Sequence, residues 1–295
     1  MLALRHIGCA GSLVLAALLC GCVNLGPVRE FAGSSARLTG YQGVTERYVT
    51  SADRQLADLP PDKRYDPLRA KLQNLRTVSA RDKDTLLKLH ATTTGYMAAL
   101  ALLAGEDAYS VAGELGKVSD AIAASEDLHI DAGHVQAYSN IAQRVVDWAL
   151  AVQQAKDVKR MVERNGEDMD KLLEAMELAT QAYGIVLRDE AASYDARSEL
   201  REAAWTAELK GDSELTPARR DAVVTLLRRT ARIDKAAQAD ALKAQQAAAD
   251  GLAQVRAAHS ALVRNVDRLD DKQLQATLRK AAADLKSIRQ SFATL

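Results

Sequence analysis

Apolar and small side chains recur along this chain at steps of three and four, the spacing that lays one stripe down an α-helix. From Phe31 the series runs Phe31, Ser35, Leu38, Thr45, Tyr48, Ala52, Leu56 and Leu59 and predicts a first helix, which Pro60-Pro61 ends. Asp66-Pro67 places an N-cap type before a proline suited to the first helical position. The stripe Leu68, Leu72, Leu75, Leu86, Leu89, Thr93, Tyr96, Leu100 and Leu103 then predicts a second helix to about Ala104, broken by Gly105-Glu106-Asp107. Val111, Leu115, Val118 and Ile122 predict a shorter third helix, and His129 to Gly133 a connector. Val135, Tyr138, Ile141, Val145, Trp148 and Val152 carry a fourth towards Asn165-Gly166, a pair suited to a C-terminal stop. A fifth runs from near Glu167 to Lys210-Gly211 through Leu172, Met176, Tyr183, Tyr194 and Trp205. Thr216-Pro217 repeats the N-cap and proline signal and opens a sixth helix that reaches Asp267, with an alanine-lined seam from Ala236 to Ala258 where a neighbour can approach closely. Asp270 with Gln273 has the form of a capping box and opens a last helix to about Phe292. The connections are short, so the expected fold is all-α: an elongated antiparallel bundle of six or seven helices over residues 31–295, several of them long and coiled-coil-like.

Composition supports this reading. Apolar residues make up 48% of the chain, enough for a core, but aromatics are only 4% and alanine leads the apolar count. Such a chain suits closely spaced helices better than a ring-lined enzyme pocket. Its five prolines are Pro27, Pro60, Pro61, Pro67 and Pro217, too few turn residues for a β-rich fold of this size. The 39 basic residues balance 39 acidic ones, which argues against a nucleic-acid partner, since such proteins carry a basic surplus on one face.

All three cysteines, Cys9, Cys20 and Cys22, fall near the amino terminus. Arg5 and His6 form a short positive segment, and Ile7 to Leu19 an apolar one shorter than the roughly 20 residues a membrane span needs. Leu19-Cys20-Gly21-Cys22 follows: a branched apolar residue at −3, a tolerant −2, a small residue at −1, then cysteine. These four residues resemble the lipobox of bacterial lipoproteins. The resemblance implies that residues 1–21 are a signal peptide, that Cys22 carries the acyl chains, and that residues 22–30 are a lipidated tether. Two or more acyl chains suffice for stable anchoring. With Val23 rather than Asp after the cysteine, the resemblance further implies the outer membrane of a diderm bacterium, with the protein facing the periplasm. Cleavage leaves 274 residues with a formal charge of about −1 and a single cysteine, so no intrachain disulfide is available to the mature chain.

No catalytic or cofactor signature stands out. His129 and His134 lie five apart beside Asp131, a spacing that does not put two zinc ligands on one helical face, so they read as exposed connector residues. His259 reads as a polar flank of its helix. Asp189, Glu190, Asp195, Glu199 and Glu202 alternate with Arg188, Arg197 and Arg201, as on a solvated helix laced with weak ion pairs. No Gly-x-Ser-x-Gly turn and no phosphate loop occurs. No cofactor, no metal and no enzymatic activity is expected.

Two segments are candidates for interaction. Arg219, Arg220, Arg228, Arg229 and Arg232 form the densest basic group, suited to an anionic partner, although Asp221 and Asp234 offset part of it. Tyr96 to Ala104 is the most apolar stretch after the signal; it reads as core beside a turn, or, with the segment to Ala124, as an apolar hairpin resembling in outline those of helical-bundle pore-forming proteins. The expected role is therefore non-catalytic binding or scaffolding of a protein partner by a membrane-anchored bundle, with a membrane-active hairpin over 96–124 as the alternative.

Overall fold

The computed structural model describes residues 24–37, 40–106, 121–149, 155–212 and 214–292. The described residues fold as an all-α bundle; the third predicted helix lies, apart from Ile122, outside them. The helices are α1 (Gly26–Ala36), α2 (Gly40–Val49), α3 (Ser51–Ala57), α4 (Asp66–Leu103), α5 (Ala132–Ala149), α6 (Ala155–Gly211), α7 (Pro217–Arg264) and α8 (Lys272–Phe292).

The first predicted helix is three short ones. α1, α2 and α3 follow one another with a bend at Thr50, whose hydroxyl donates to Glu46 O at 2.8 Å and so competes with the backbone ladder. Breaking the rod lets this segment wrap α4 in antiparallel fashion. Tyr41 stacks on His90 with ring centroids 5.2 Å apart, and Ser79 Oγ donates to Val49 O at 3.2 Å. α1 begins at Gly26, with Pro27 in its first turn and Val28 buried. The segment expected as a tether over 22–30 therefore joins the body by residue 26, because Val28 and Phe31 belong to the core.

Asn165-Gly166 does not end a helix. α6 runs through it for 57 residues, about 85 Å at 1.5 Å per residue. Both residues are used for packing. Asn165 is buried, donates from Nδ2 to Met161 O at 2.7 Å and accepts from Arg144 Nη1 at 2.8 Å. At Gly166 a Cβ would stand 2.7 Å from Val263 Cγ2, so glycine is there to let α7 come close. Gly184 plays the same part farther along, against the amide of Gln245, which donates to Thr180 O at 2.9 Å.

Helix ends follow local chemistry with small shifts from the sequence reading. Thr216 caps α7 as expected, its Oγ1 accepting from Arg219 N. At α8 the cap is Asp271 rather than Asp270, with Asp271 Oδ1 accepting from Leu274 N at 2.9 Å. α4 starts at Asp66 itself, so Pro67 still lies in the first turn. α5 opens on a reciprocal cap: Asp131 Oδ1 accepts from His134 N at 3.0 Å while His134 Nδ1 accepts from Asp131 N at 3.2 Å.

α6 and α7 form the largest helix–helix interface, α1 packs between α4 and α8, and α5 lies on α4 and α6. The core centres on the second half of α4, where every residue from Tyr96 to Ala104 is buried, and on Met161 to Tyr183 of α6. Three tyrosines gather in one place: Tyr41 and Tyr48 both meet the Tyr183 ring, Tyr48 stacking on it at 4.5 Å, and Tyr183 Oη lies 3.3 Å from Thr45 Oγ1. The loop before α5 is pinned to α4 by buried Asp82, which accepts from Ser125 Oγ at 2.9 Å and from Arg81 Nε at 2.9 Å.

The two kinds of glycine predict opposite responses to the same change. Gly43→Ala, in α2 with no heavy atom within 4 Å of the new Cβ, raises stability by about 0.5–1 kcal/mol, the helix preference of alanine. Gly166→Ala lowers it by roughly 1–3 kcal/mol as α6 and α7 are forced apart. Urea unfolding of the two variants checks both signs.

Candidate interaction surface

The five arginines expected to form a docking patch divide into two groups. Arg220 and Arg228 are occupied in building the hairpin of α6 and α7. Arg220 Nη1 reaches the carbonyls of Lys210 at 3.3 Å and Leu209 at 3.5 Å, closing the carboxyl end of α6 where bare carbonyls and the helix dipole favour a cation. Arg228 Nε donates to Glu202 Oε1 at 2.7 Å across the two helices. No hydrogen bond or ion pair joins the side chains of Arg219, Arg229 and Arg232 to another described residue, and all three are exposed. The offsetting carboxylates do not meet them either: Asp234 instead accepts from Tyr194 Oη at 2.6 Å, and burial and that carboxylate push the Tyr194 phenol well up from its ordinary range.

Arg219, Leu226, Arg229 and Ile233 follow at steps of seven, three and four, so they share one face of α7. That face is outermost. Leu226 is 64% exposed and Ile233 58%, far outside what a core position shows. Nearer the body the same face continues as Ala237, Ala241 and Ala244, which with Gly40, Val44 and Phe292 line an open cavity of about 870 Å³. The alanine seam thus has two halves. From Ala248 to Ala258 it is buried against the rest of the bundle, and from Ala244 back to Ala236 it borders the open cavity beside α2 and α8; farther out, from Arg229 to Pro217, no helix covers the outer face of α7 among the described residues.

This limb stands at one end of the molecule. Asp58 and Arg201 pair at 3.5 Å, Tyr96 Oη meets His259 Nε2 at 3.0 Å, and Arg256 binds Asp170 at 3.0 Å, which sets the order of levels along the bundle. Gly33 lies beside Glu106, past the end of α4, while the loop from Gly211 to Pro217 lies beyond Asp58 at the other end. Along α7 alone, His259 and Pro217 are about 60 Å apart. The described chain therefore starts, at Asn24, near the end opposite to the limb. Cys22 and the motif residues Leu19, Cys20 and Gly21 lie outside the described residues.

The polar interior holds what sequence reasoning missed. Glu190, expected on a solvated face, is only 3% exposed and is gripped by Arg54 through two bonds of 2.7 Å and by Arg47 at 3.2 Å. Its partners stand well over a hundred positions away on α2 and α3, so no local spacing announces them. Arg256 likewise gathers Asp170, Glu174 and Glu177, and the guanidinium holds the Asp170 carboxyl below its usual range. His134 is a buried helix cap rather than an exposed connector residue; His129 is exposed, with φ 55° in a turn closed by Ser125 and Ile130. His259 is no polar flank: it is fully buried on Tyr96. Among the described residues no group of three or more His, Cys, Asp or Glu is placed to hold a metal ion, and no helix is long and apolar enough to cross a membrane.

No protein family, curated protein or solved structure matches this chain.

Burial lowers the His259 pKa to about 4 from an ordinary 6.5, so the folded protein keeps this ring neutral where the unfolded chain protonates it. Its contribution is complete above about pH 6.5 and is lost as pH falls towards 4, amounting to about 3 kcal/mol. Wild type should lose stability over that interval, and His259→Gln should lose distinctly less between pH 6.5 and 4.5, measured by urea unfolding at each pH. Equal slopes in the two proteins would refute the assignment.

Proposed function

We propose that the chain is a lipoprotein held on the outer membrane through acylated Cys22, facing the periplasm, and that it works as a non-catalytic scaffold whose far limb docks a protein partner. The observation that carries this reading is polarity. The amino-terminal end of the body, two residues beyond Cys22, and the exposed arginine-bearing limb stand at opposite ends of the bundle. Anchored at one end, such a molecule presents Arg219, Leu226, Arg229, Arg232 and Ile233 tens of ångströms from the lipid surface.

The chemistry of the limb suits a protein partner. A central pair of large aliphatic side chains flanked by unpaired guanidiniums has the make-up of an interface centre with a charged rim. The three free arginines favour a partner that offers carboxylates opposite them, which speeds encounter and sets register more than it adds affinity. The salt-bridge clusters of buried Glu190 and partly exposed Arg256 hold the body rigid behind it.

Two measurements test the two parts separately. Cys22→Ser should abolish incorporation of labelled palmitate and move the protein out of the membrane fraction; retention of label would refute the anchor. A photoreactive side chain at Leu226 or Ile233 in cells should give a discrete crosslinked product that one at the exposed Asp212 does not, and Arg229→Glu should reduce its yield several-fold. Crosslinking only at Asp212, or none at any position, would refute the docking face.

A further inference from the structure

Two cavities meet at one arginine. The first, of about 250 Å³, lies between α3, α6 and α7 and is lined in part by Arg54, Glu190, Tyr194 and Arg197. The second, of about 350 Å³, lies between α6 and the turn that joins α3 to α4, and includes Pro60, Tyr65, Leu200 and Trp205. Asp58 and Arg197 line both. Together the volumes fall in the range of small-molecule sites.

The charges around this cleft pair off and leave Arg197 over. Glu190 is taken by Arg47 and Arg54, Asp58 by Arg201, and Asp234 by the Tyr194 hydroxyl. Four guanidiniums, of Arg47, Arg54, Arg197 and Arg201, thus face three carboxylates. The Nε and Nη2 of Arg197 are buried, and no described residue accepts from either. Sheltered guanidinium N–H groups without an acceptor are costly, and an oxyanion is the group that relieves them best. Burial also pulls the Arg197 pKa down, against the opposing pull of the nearby Asp58 carboxylate.

The second cavity supplies a different chemistry. Trp205 is 43% exposed and Leu200 69%, both on the α6 wall of the cleft, with Tyr65 also in the lining. Large rings are rare in this chain, and an indole left half open beside an arginine is suited to cover the flat body of a ligand.

We propose that this cleft is a binding site for a small ring compound bearing a carboxylate or phosphate, its anionic group received by Arg197 and its ring covered by Trp205, Leu200 and Tyr65. Arg197 gives the site its charge selectivity, and the exposed indole gives it a preference for a ring over a bare ion. The cleft lies at the base of the limb, where Asp234 and Ala237 of α7 form part of its wall, and it stands whether or not the docking reading holds.

The test uses the full-length chain in detergent, with calorimetry for affinity and tryptophan emission for location. The probes are glucuronate and benzoate as ring carboxylates, glucose 6-phosphate as a ring phosphate, glucose as a ring without charge, and inorganic phosphate and acetate as charge without a ring. At least one ring anion should bind with a dissociation constant below about 1 mM, and glucose, inorganic phosphate and acetate at least about tenfold more weakly. Comparing the ring carboxylates with glucose 6-phosphate tells which oxyanion the site takes. Arg197→Met should weaken the ring anion by roughly tenfold or more, and Arg197→Lys, which keeps the charge without the planar fork, by less. Trp205→Phe should remove the emission change while the calorimetric signal persists. The proposal is overturned if no ring anion binds below about 1 mM, if inorganic phosphate alone binds as tightly, or if Arg197→Met, still folded by circular dichroism, retains full affinity.

Discussion

The structure depends on how closely α6 and α7 approach one another. Two helices of 57 and 48 residues can only lie side by side over most of their length if the side chains between them are small where the axes come nearest. Gly166 against Val263, Gly184 against Gln245, and the buried Ala248 and Ala258 meet that requirement. The pair then acts as a rod, and the remaining helices wrap only the part formed by the amino-terminal portion of α6 and the carboxyl-terminal portion of α7: α1 to α3 and α4 on one side, α8 and α5 on others. What the wrapping leaves bare is the limb from about Glu202 to Ile233, held together by Arg220 on the carbonyl end of α6 and Arg228 on Glu202, with the Tyr194–Asp234 bond at its base.

That division explains where polar groups are buried. Along the wrapped part, charges gather in clusters in which a central group is satisfied several times, as buried Glu190 is by Arg54 and Arg47, and as the partly exposed Arg256 is by three carboxylates. Removing a partner of Glu190 costs more than the pair contributes, because the remaining charge stays buried. These clusters fix the register of α2 and α3 on α6 and of α7 on α6. They are therefore positioning devices for the limb and for the cleft at Arg197, where the pairing is left incomplete.

How much of this was legible in the sequence depended on whether the signal was local. The periodic stripes identified the helical class, the antiparallel order and most helix starts, because caps such as Thr216-Pro217 are decided by a few neighbouring residues. Asn165-Gly166 misled for the same reason: a pair that often ends helices serves here in close packing, and the neighbour that makes the difference, Val263, lies far along the chain. The apolar stripe of the first segment continues across Thr50 and so carries no sign of the bend, which comes from the geometry of wrapping α4. The arginine group was visible as a cluster, but only its partners separate Arg220 and Arg228, which build the hairpin, from the three that are free. Glu190, His259 and Arg197 carried no local mark at all, since burial there is conferred by residues on other helices.

The central claim is that α6 and α7 form an extended rod whose far limb stands clear of the body. Small-angle X-ray scattering of the monomeric Cys22→Ser chain tests it most directly. A compact chain of 295 residues has a radius of gyration of about 19 Å. The account predicts a value clearly above this, with a maximum dimension of about 85 Å or more, the length of α6. A radius of gyration near 19 Å would mean that the limb folds back on the body, and would contradict it.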